Sequence, residues 1–131
     1  MAKMSTIFVF DLETNSVDTK TTQILQIAGL AINPYKLEII EGSEFDTTVK
    51  PELEKAGCKD MDEFVRVYKG ALDVNKLTKE QLENAPTIES VWPRWISHVQ
   101  RFNPNPKTTW AAPTACGKNI IGFDLPIIQR Y

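Results

Sequence analysis

The chain has 131 residues, of which 42% are hydrophobic and 24% are charged, and its formal net charge at pH 7 is −2. This length suits one domain with one sizeable core, and the composition excludes general disorder. The slightly acidic balance lacks the basic footprint of proteins that hold nucleic acid by charge alone, but it is compatible with a site whose bound cations supply positive charge.

The N-terminal part of the chain is predicted to form β-strands. Residues 7–10 are continuously apolar, which indicates a central strand covered on both faces. A polar loop separates them from a second apolar run, residues 24–32, which predicts a second strand. Residues 37–40 and 44–49 follow as candidate edge strands of a hairpin.

The middle of the chain is predicted to be helical. Several apolar residues fall on one helical face: Met61, Phe64, Val65, Tyr68 and Leu72. Thr78 and Gln81 have the spacing of a capping box, in which the threonine caps the first turn and the glutamine side chain reaches back. A short helix is therefore expected to begin at Thr78.

A longer apolar stripe then predicts a long helix. Its members are Ile88, Val91, Trp92, Trp95, Ile96, Val99 and Phe102. Because Pro93 has no N–H to donate, the helix is expected to begin near Ser90 and to hold Pro93 in its first turn. We predict that Trp92 and Trp95 pack in the core and do not form a stacking platform for single strands, and that Trp110 is buried as well.

The last predicted elements are a strand and a helix. The NPNP sequence of residues 103–106 ends the long helix, residues 108–115 predict a strand, and residues 123–131 predict the start of a helix. Strands, then helices, then a strand and a helix indicate one α/β domain over residues 1–131. Nothing follows the apolar residues 126–128 to cover them, so we expect the domain to be C-terminally incomplete.

Neither the cysteines nor the N-terminus indicates an exported or membrane-bound protein. Cys58 and Cys116 lie far apart, which suggests no zinc motif or disulfide framework and fits a reducing compartment. The apolar run at residues 7–10 is too short for a signal-peptide core or a membrane span. We expect a cytoplasmic protein without a membrane partner, and the sequence predicts no oligomeric state.

The first cluster with a chemical use is Asp11-Leu12-Glu13, at the end of the first strand. Positions i and i+2 of a strand point to the same face, so the carboxylates of Asp11 and Glu13 are expected to project together. Two carboxylates beside an apolar strand need a partner, and Mg²⁺ or Mn²⁺ prefers such hard oxygen ligands. The alternative is that the strand has reached solvent and both acids are hydrated.

The second cluster lies near the C-terminus, in the sequence GKNIIGFDLPII. Asp124 follows an aromatic residue at a predicted junction between a loop and a helix. Taken alone, Asp124 is also compatible with an ordinary N-cap that accepts hydrogen bonds from the helix backbone, and Asn119 is compatible with a turn residue.

Together, the two clusters resemble the first two exonuclease motifs of the DEDD (DnaQ-like) superfamily of 3′–5′ exonucleases. FVFDLET matches the first motif, and N-x-x-x-F-D-x-P matches the second in a form especially similar to family-B polymerase proofreading domains. The spacer is similar as well, with TTVKPE after the third strand and VNKLTKEQLENAPT before the long helix. The resemblance covers essentially the whole chain.

The resemblance implies an RNase H-like fold, with a mixed central β-sheet flanked by helices. It implies a metal-dependent 3′–5′ exonuclease that releases nucleoside 5′-monophosphates from the 3′ ends of single-stranded DNA. Asp11, Glu13 and Asp124 would hold two Mg²⁺ or Mn²⁺ ions, with Asp11 bridging them. Such a pair of ions activates water for in-line attack and stabilises the leaving 3′ oxygen.

Substrate contacts are implied in the same way. Leu12 matches a position that packs on the terminal base, and Thr14 matches one near the sugar. Asn119 matches a residue that steadies the second motif near the substrate. Phe123 is expected to pack in the core.

The chain departs from the family at the third motif, which supplies a fourth acid and a histidine or tyrosine general base. The chain has one histidine, His98, and it falls within the long helix, where we expect a partly exposed surface residue and not the base. Without the fourth acid one ion loses a ligand, and water activation loses its base. We therefore expect little or no activity from the chain as it stands.

Three alternatives stay open on the sequence. The first is an RNA-trimming member of the superfamily, because sugars are distinguished by contacts to the 2′-OH. The second is a non-catalytic remnant that holds 3′ ends or a partner protein, although such a module would not need three retained acids. The third is a shortened form of an ordinary exonuclease.

Overall fold

A mixed sheet forms the centre of the computed structural model, which describes residues 6–102, 114–117 and 120–131, with only the backbone described at residues 120 and 121. Within these residues the sheet has the strand order β3-β2-β1-β4. Its strands are β1 (Ile7–Thr14), β2 (Ile24–Ile32), β3 (Phe45–Thr48) and β4 (Thr114–Cys116). β2 pairs antiparallel with both β1 and β3, and β4 pairs parallel with β1.

The predicted edge strands form only in part. β3 lies inside the predicted segment 44–49, but residues 37–40 form no strand and contribute an isolated bridge between Ile39 and Ile32. Leu37 adopts a left-handed backbone with φ of 57°. That conformation is incompatible with a continuing strand, and it turns the chain at the tip of the hairpin.

β1 is the central strand, but its two faces are not equally covered. Phe8, Phe10 and Leu12 are buried and belong to the main core, whereas Ile7 and Val9 are only half-buried. The prediction that both faces are covered is therefore wrong for the described part of the chain. The reason is that the helical residues of the main core all pack on the face of the sheet that carries Phe8.

The helices in the middle of the chain bury a second core. These are α1 (Met61–Val67), α2 (Lys69–Asn75) and α3 (Lys79–Glu83). The predicted apolar face is confirmed, since Met61, Phe64 and Leu72 are buried together. The helix breaks at Tyr68, whose φ of −104° and ψ of 23° are not helical. The capping box of Thr78 and Gln81 at the start of α3 is confirmed.

The long helix α4 spans Ile88–Gln100 and covers the sheet. It begins at Ile88 and not near Ser90, so Pro93 lies inside the helix rather than in its first turn. Ile88 and Val91 are buried against the sheet, and this burial offsets the hydrogen bond that Pro93 cannot donate. The core position predicted for Trp95 is confirmed, at 3% exposed.

His98 is buried, contrary to the prediction of a surface residue. It is 9% exposed, and its ring contacts the rings of Phe8, Phe45 and Phe102. Its Nε2 lies 2.6 Å from the carbonyl oxygen of Ser43. A carbonyl only accepts, so Nε2 donates in this contact. The prediction failed because His98 lies one turn after Trp95 on the buried face of α4.

The C-terminal residues pack on the same side of the sheet as α4. A π-helical turn, Ile120–Asp124, leads into α5 (Leu125–Arg130), whose Ile127 is fully buried in the main core. Phe123 packs against this core as predicted, and the partly buried Trp92 contacts the ring of Tyr131. Trp110 lies outside the described residues. Among the described helices, none is both long and apolar enough to pass through a lipid bilayer.

Gly29 of β2 lies where the side chain of Trp95 in α4 packs on the sheet. A Cβ at this position would lie 2.5 Å from Cε1 of Phe8 and 3.1 Å from Cη2 of Trp95. The Phe8 ring is itself packed between the rings of Trp95 and Phe102, so it has little room to move. The absence of a side chain at Gly29 is therefore a packing requirement.

We expect Gly29→Ala to lower the free energy of unfolding by about 1–3 kcal/mol, because the extra methyl group overpacks the core. Urea unfolding would measure this change. Gly70→Ala is the matched control, since a Cβ at Gly70 in α2 meets nothing within 4 Å. The control should be as stable as the wild type or slightly more stable, because alanine has the higher helix propensity. Equal stability of the Gly29→Ala variant and the wild type would contradict this packing account.

Candidate active site

β1 delivers two carboxylates to the less covered face of the sheet. Asp11 and Glu13 are two residues apart in the strand and point to the same side, opposite to Leu12. Asp11 is exposed and Glu13 is half-buried. Asp11 pairs with Ala28 of β2, a residue too small to cover its carboxylate. The regular ladder ends directly after Glu13, where the register shifts.

Asp124 reaches the same region from the other end of the chain. The core side chain of Ile127 anchors α5, and Nη1 of Arg130 donates to the carbonyl oxygen of Thr19 at 2.9 Å, which ties α5 to the loop after β1. Asp124 is 2% exposed and has helical backbone angles, and its side chain makes no capping hydrogen bond. Asp124 therefore stands at the N-cap position of α5, but the capping hydrogen bond of the alternative interpretation is not formed among the described residues.

The three acids line one pocket of about 440 Å³. The other lining residues are Val9, Phe10, Leu12, Gly117 and Phe123. Among the described residues, Oδ2 of Asp124 has no hydrogen-bond partner although it is buried. No lysine or arginine in the described part of the chain forms an ion pair with any of the three acids. The pocket thus gathers negative charge that no lysine or arginine of the described residues balances through an ion pair.

This arrangement changes the acidity of two of the carboxyl groups. Burial, with the negative charges of Asp11 and Glu13, raises the pKa of Asp124 to about 6. Burial and the charge of Asp11 also raise the pKa of Glu13. A buried carboxylate near two like charges is stabilised by taking up a proton or a cation. The pocket is therefore suited to exchange a bound proton for a bound cation near neutral pH.

The chemistry of these side chains fits a divalent cation, because all are hard oxygen donors and the buried Oδ2 of Asp124 has no partner in the described part of the chain. In the conformation described for residues 6–102, 114–117 and 120–131, no three acids, cysteines or histidines lie close enough to hold one ion together. Carboxylates that share a pocket repel each other when no cation lies between them. We therefore expect the three side chains to move closer together when an ion binds.

A second pocket, of about 410 Å³, adjoins the first, and Leu12, Glu13 and Phe123 line both. Its remaining wall comes from α2 and the loop after β1: Thr14, Ser16, Val17, Gly70, Ala71, Val74 and Asn75. Val17 and Val74 are 89% and 80% exposed, so an apolar ligand in this pocket would cover side chains that now face solvent. The pocket offers apolar walls directly beside an acid.

The predicted substrate contacts lie at these pockets in part. Leu12 is 4% exposed and reaches the two pockets from the core. The Thr14 hydroxyl donates to the carbonyl oxygen of Ser16 at 2.9 Å, so it can only accept from a ligand. Asn119 lies outside the described residues, and its predicted role stays a prediction.

Sequence reasoning missed Val17, Val74 and Asn75. Nδ2 of Asn75 donates to the carbonyl oxygen of Thr14 at 2.9 Å and so fastens the end of α2 to the end of β1. The sequence predicts only a spacer before the long helix for the VNKLT segment, which contains Val74 and Asn75. Val17 and Val74 lie outside the predicted apolar stripes, and this position indicates that they do not belong to the core. Only the fold brings them to one pocket.

Comparison with models of protein families shows that the chain is similar to known exonucleases. The sequence matches the RNase T model, described as an exonuclease, over residues 8–104. This segment contains Asp11 and Glu13 and ends before Asp124. No curated protein sequence matches the chain.

Solved structures of several nucleases share the fold. Cell-death related nuclease 4 (CRN-4) has a TM-score of 0.67 at 15% identity, with 96% of this chain and 40% of that chain covered. E. coli exonuclease I in complex with a dT13 oligonucleotide has a TM-score of 0.63 at 18% identity, with 95% and 22% covered. Exonuclease I from Methylocaldum szegediense has a TM-score of 0.65 at 18% identity, with 95% and 22% covered.

These likenesses confirm the expected RNase H-like α/β fold, a mixed sheet flanked by helices. At such identities they show the fold alone. The chain spans between 22% and 40% of the length of these three structures.

Proposed function

Because the chain belongs to the RNase T family of exonucleases, within the DnaQ-like DEDD superfamily, we propose that it is a metal-dependent 3′–5′ exonuclease. It would hydrolyse the terminal phosphodiester of single-stranded DNA and release nucleoside 5′-monophosphates. The observation that carries the proposal is the pocket shared by Asp11, Glu13 and Asp124, in which the buried Oδ2 of Asp124 has no hydrogen-bond partner within the described residues. The oligonucleotide bound to E. coli exonuclease I supports a single strand as substrate.

The metal site of this proposal consists of Asp11, Glu13 and Asp124, which would hold two Mg²⁺ or Mn²⁺ ions. When bound, such ions supply positive charge to the phosphodiester and its leaving 3′ oxygen and make water a better nucleophile. Asp11 is the exposed acid of the three and lies within the ladder, and by the family resemblance it would serve both ions. Asp124 is buried and protonates readily, so its ionisation is coupled to cation uptake.

The adjoining pocket would hold the 3′-terminal nucleotide. Leu12, Val17 and Val74 offer apolar contacts to the base. Such contacts carry no hydrogen-bond readout, so we expect little preference among the four bases. The Thr14 hydroxyl, whose proton is already donated to Ser16, would accept a hydrogen bond from a sugar hydroxyl. Asn119 would steady the second motif near the substrate.

Digestion of matched strands tests the proposal. DNA and RNA oligonucleotides of one sequence, labelled at the 5′ end, are incubated with the chain and Mn²⁺. We expect a ladder that shortens from the 3′ end, faster on DNA, with nucleoside 5′-monophosphates as products. The Asp11→Asn variant is the control for background digestion, and we expect it to produce no ladder.

Other outcomes of this digestion would replace the proposal. Digestion of RNA with DNA left intact would favour the RNA-trimming alternative. Internal cuts would contradict an exonuclease. If neither strand is shortened and Mn²⁺ binding does not depend on the three acids, the chain is a non-catalytic module.

A further inference from the structure

A basic groove lies on the outer side of α4, next to the edge strand β3. It has a volume of about 420 Å³ and is lined by Phe45, Pro93, Arg94, Ser97, His98 and Arg101. No acidic residue lines it. This differs from the active-site pocket, which three carboxylates line, and from the chain as a whole, whose net charge is −2. The groove therefore concentrates positive charge on an otherwise slightly acidic chain.

The two arginines of the groove are positioned by aromatic rings. The guanidinium carbon of Arg94 lies 5.8 Å from the centre of the Phe45 ring, and that of Arg101 lies 5.7 Å from the centre of the Phe102 ring. A guanidinium that contacts a ring keeps its N–H groups available for a planar anion such as phosphate. Among the described residues, neither arginine is within ion-pairing distance of a carboxylate.

Arg101 is the C-cap of α4 and lies seven residues after Arg94, with Ser97 between them. Seven residues at the helical rise of about 1.5 Å separate the two arginines by about 10 Å along the helix axis. This span suits an extended anion with repeated charges better than one small ion. The buried ring of His98 forms part of the floor of the groove. Its Nε2 donates a hydrogen bond to the carbonyl oxygen of Ser43 and its ring packs against the Phe45 ring, so this floor has a fixed conformation.

We propose that this groove binds the phosphate backbone of a single nucleic-acid strand at a site separate from the carboxylate pocket. The choice of a nucleic-acid strand as the ligand rests on the function proposed above. The carboxylate pocket repels phosphates until cations enter it, so a strand needs another positively charged contact on the protein. The groove supplies it through its two arginines, and a positively charged groove that contacts the backbone suits single strands of any sequence.

The surface between the groove and the carboxylate pocket is acidic. A shallow hollow across the sheet reaches from Asp11 to Phe45, and Glu44 and Asp46 line it. These acids disfavour a strand lying along the hollow. The groove is therefore expected to bind internal parts of a strand without needing the 3′ end.

The test is binding of a fluorescent single-stranded oligonucleotide in EDTA, measured by anisotropy at several salt concentrations. We expect the Arg94→Ala/Arg101→Ala variant to bind about ten-fold more weakly. We also expect its slope of log affinity against log salt to be smaller by roughly 1.4, at about 0.7 for each lost phosphate contact. A circular single strand should compete as well as a linear one. Arg94→Lys/Arg101→Lys should recover part of the affinity.

The matched control is Lys36→Ala/Arg66→Ala, which removes the same positive charge from exposed positions elsewhere. This control should keep its affinity within about two-fold if its residues contact no phosphate. An equal loss in the control, no loss in the groove variant, or no binding by the wild type would overturn the proposal. So would tighter groove-dependent binding of a polyglutamate peptide, which would indicate an acidic protein partner. Because EDTA removes metal ions, these results are independent of the Mn²⁺-dependent digestion that tests the proposed function.

Discussion

Asp11→Asn is expected to weaken Mn²⁺ binding by at least about 100-fold. Loss of groups that merely support metal ligands costs about 10–100-fold in affinity, so loss of a direct ligand should cost more. Asp11 is also the acid whose charge raises the pKa values of both Glu13 and Asp124. Its removal therefore weakens the attraction of the whole pocket for a cation. Isothermal titration calorimetry with Mn²⁺ would measure the change.

Asp46→Asn is the matched control for this titration. Asp46 lies on β3 opposite Ala28, the same residue that Asp11 faces from β1. Its Oδ1 accepts a hydrogen bond from Nε2 of Gln26 at 2.9 Å, so it is partnered, unlike Asp124. We expect this control to bind Mn²⁺ within a factor of about three of the wild type, because surface charges are screened. Equal losses in the two variants would show that general charge, and not the pocket, attracts the ion.

Asp124→Asn is expected to make the protein more stable at pH 7.5 in the absence of metal ions. The pKa of Asp124 is raised from 3.8 to about 6 in the folded protein, chiefly by burial. Folding therefore favours the protonated form, and stability falls as pH rises from about 4 to about 6. Above this range the charged side chain destabilises the wild type by about 1–3 kcal/mol, the upper value applying if water is fully excluded. Asparagine carries no charge at any of these pH values.

Urea unfolding of both proteins between pH 4 and pH 8 would measure this difference. The two curves should lie closest near pH 4 and diverge up to about pH 6, while Asp46→Asn should not share the divergence. Saturating Mn²⁺ should reverse the order, because an ion at 1,000 times its Kd stabilises the wild type by about 4.1 kcal/mol, which exceeds this difference. A variant that is less stable than the wild type at pH 7.5 without metal ions would show that the Asp124 carboxylate already has a partner.

The acids of the candidate site could be named from the sequence because their signals are local. Alternation along a strand places Asp11 and Glu13 on one face whatever surrounds the strand, and the structure agrees. The capping box of Thr78 and Gln81 depends on a few neighbouring residues in the same way. Asp124 was recognised through its motif, since its own spacing was equally compatible with a helix cap.

The predictions that were wrong concern features that depend on contacts between elements far apart in the sequence. Pro93 lies inside α4 because contacts of Ile88 and Val91 with the sheet extend the helix toward its N-terminus. His98 is buried because the edge strand and the loop at Ser43 meet α4 at that turn. The pattern of residues 7–10 could not show that the described helices cover only one face of β1.

The sequence by itself determined the α/β class and the order of most strands and helices along the chain, and its motifs identified three candidate acids, because hydrophobic periodicity and short motifs depend on neighbouring residues. Only the tertiary structure decided that Asp124 is buried beside Asp11 and Glu13, with no hydrogen-bond partner for its Oδ2 among the residues that the structure describes, and that Val17 and Val74 share a pocket. Burial and electrostatic coupling depend on which elements meet, and these acids are brought together from opposite ends of the chain.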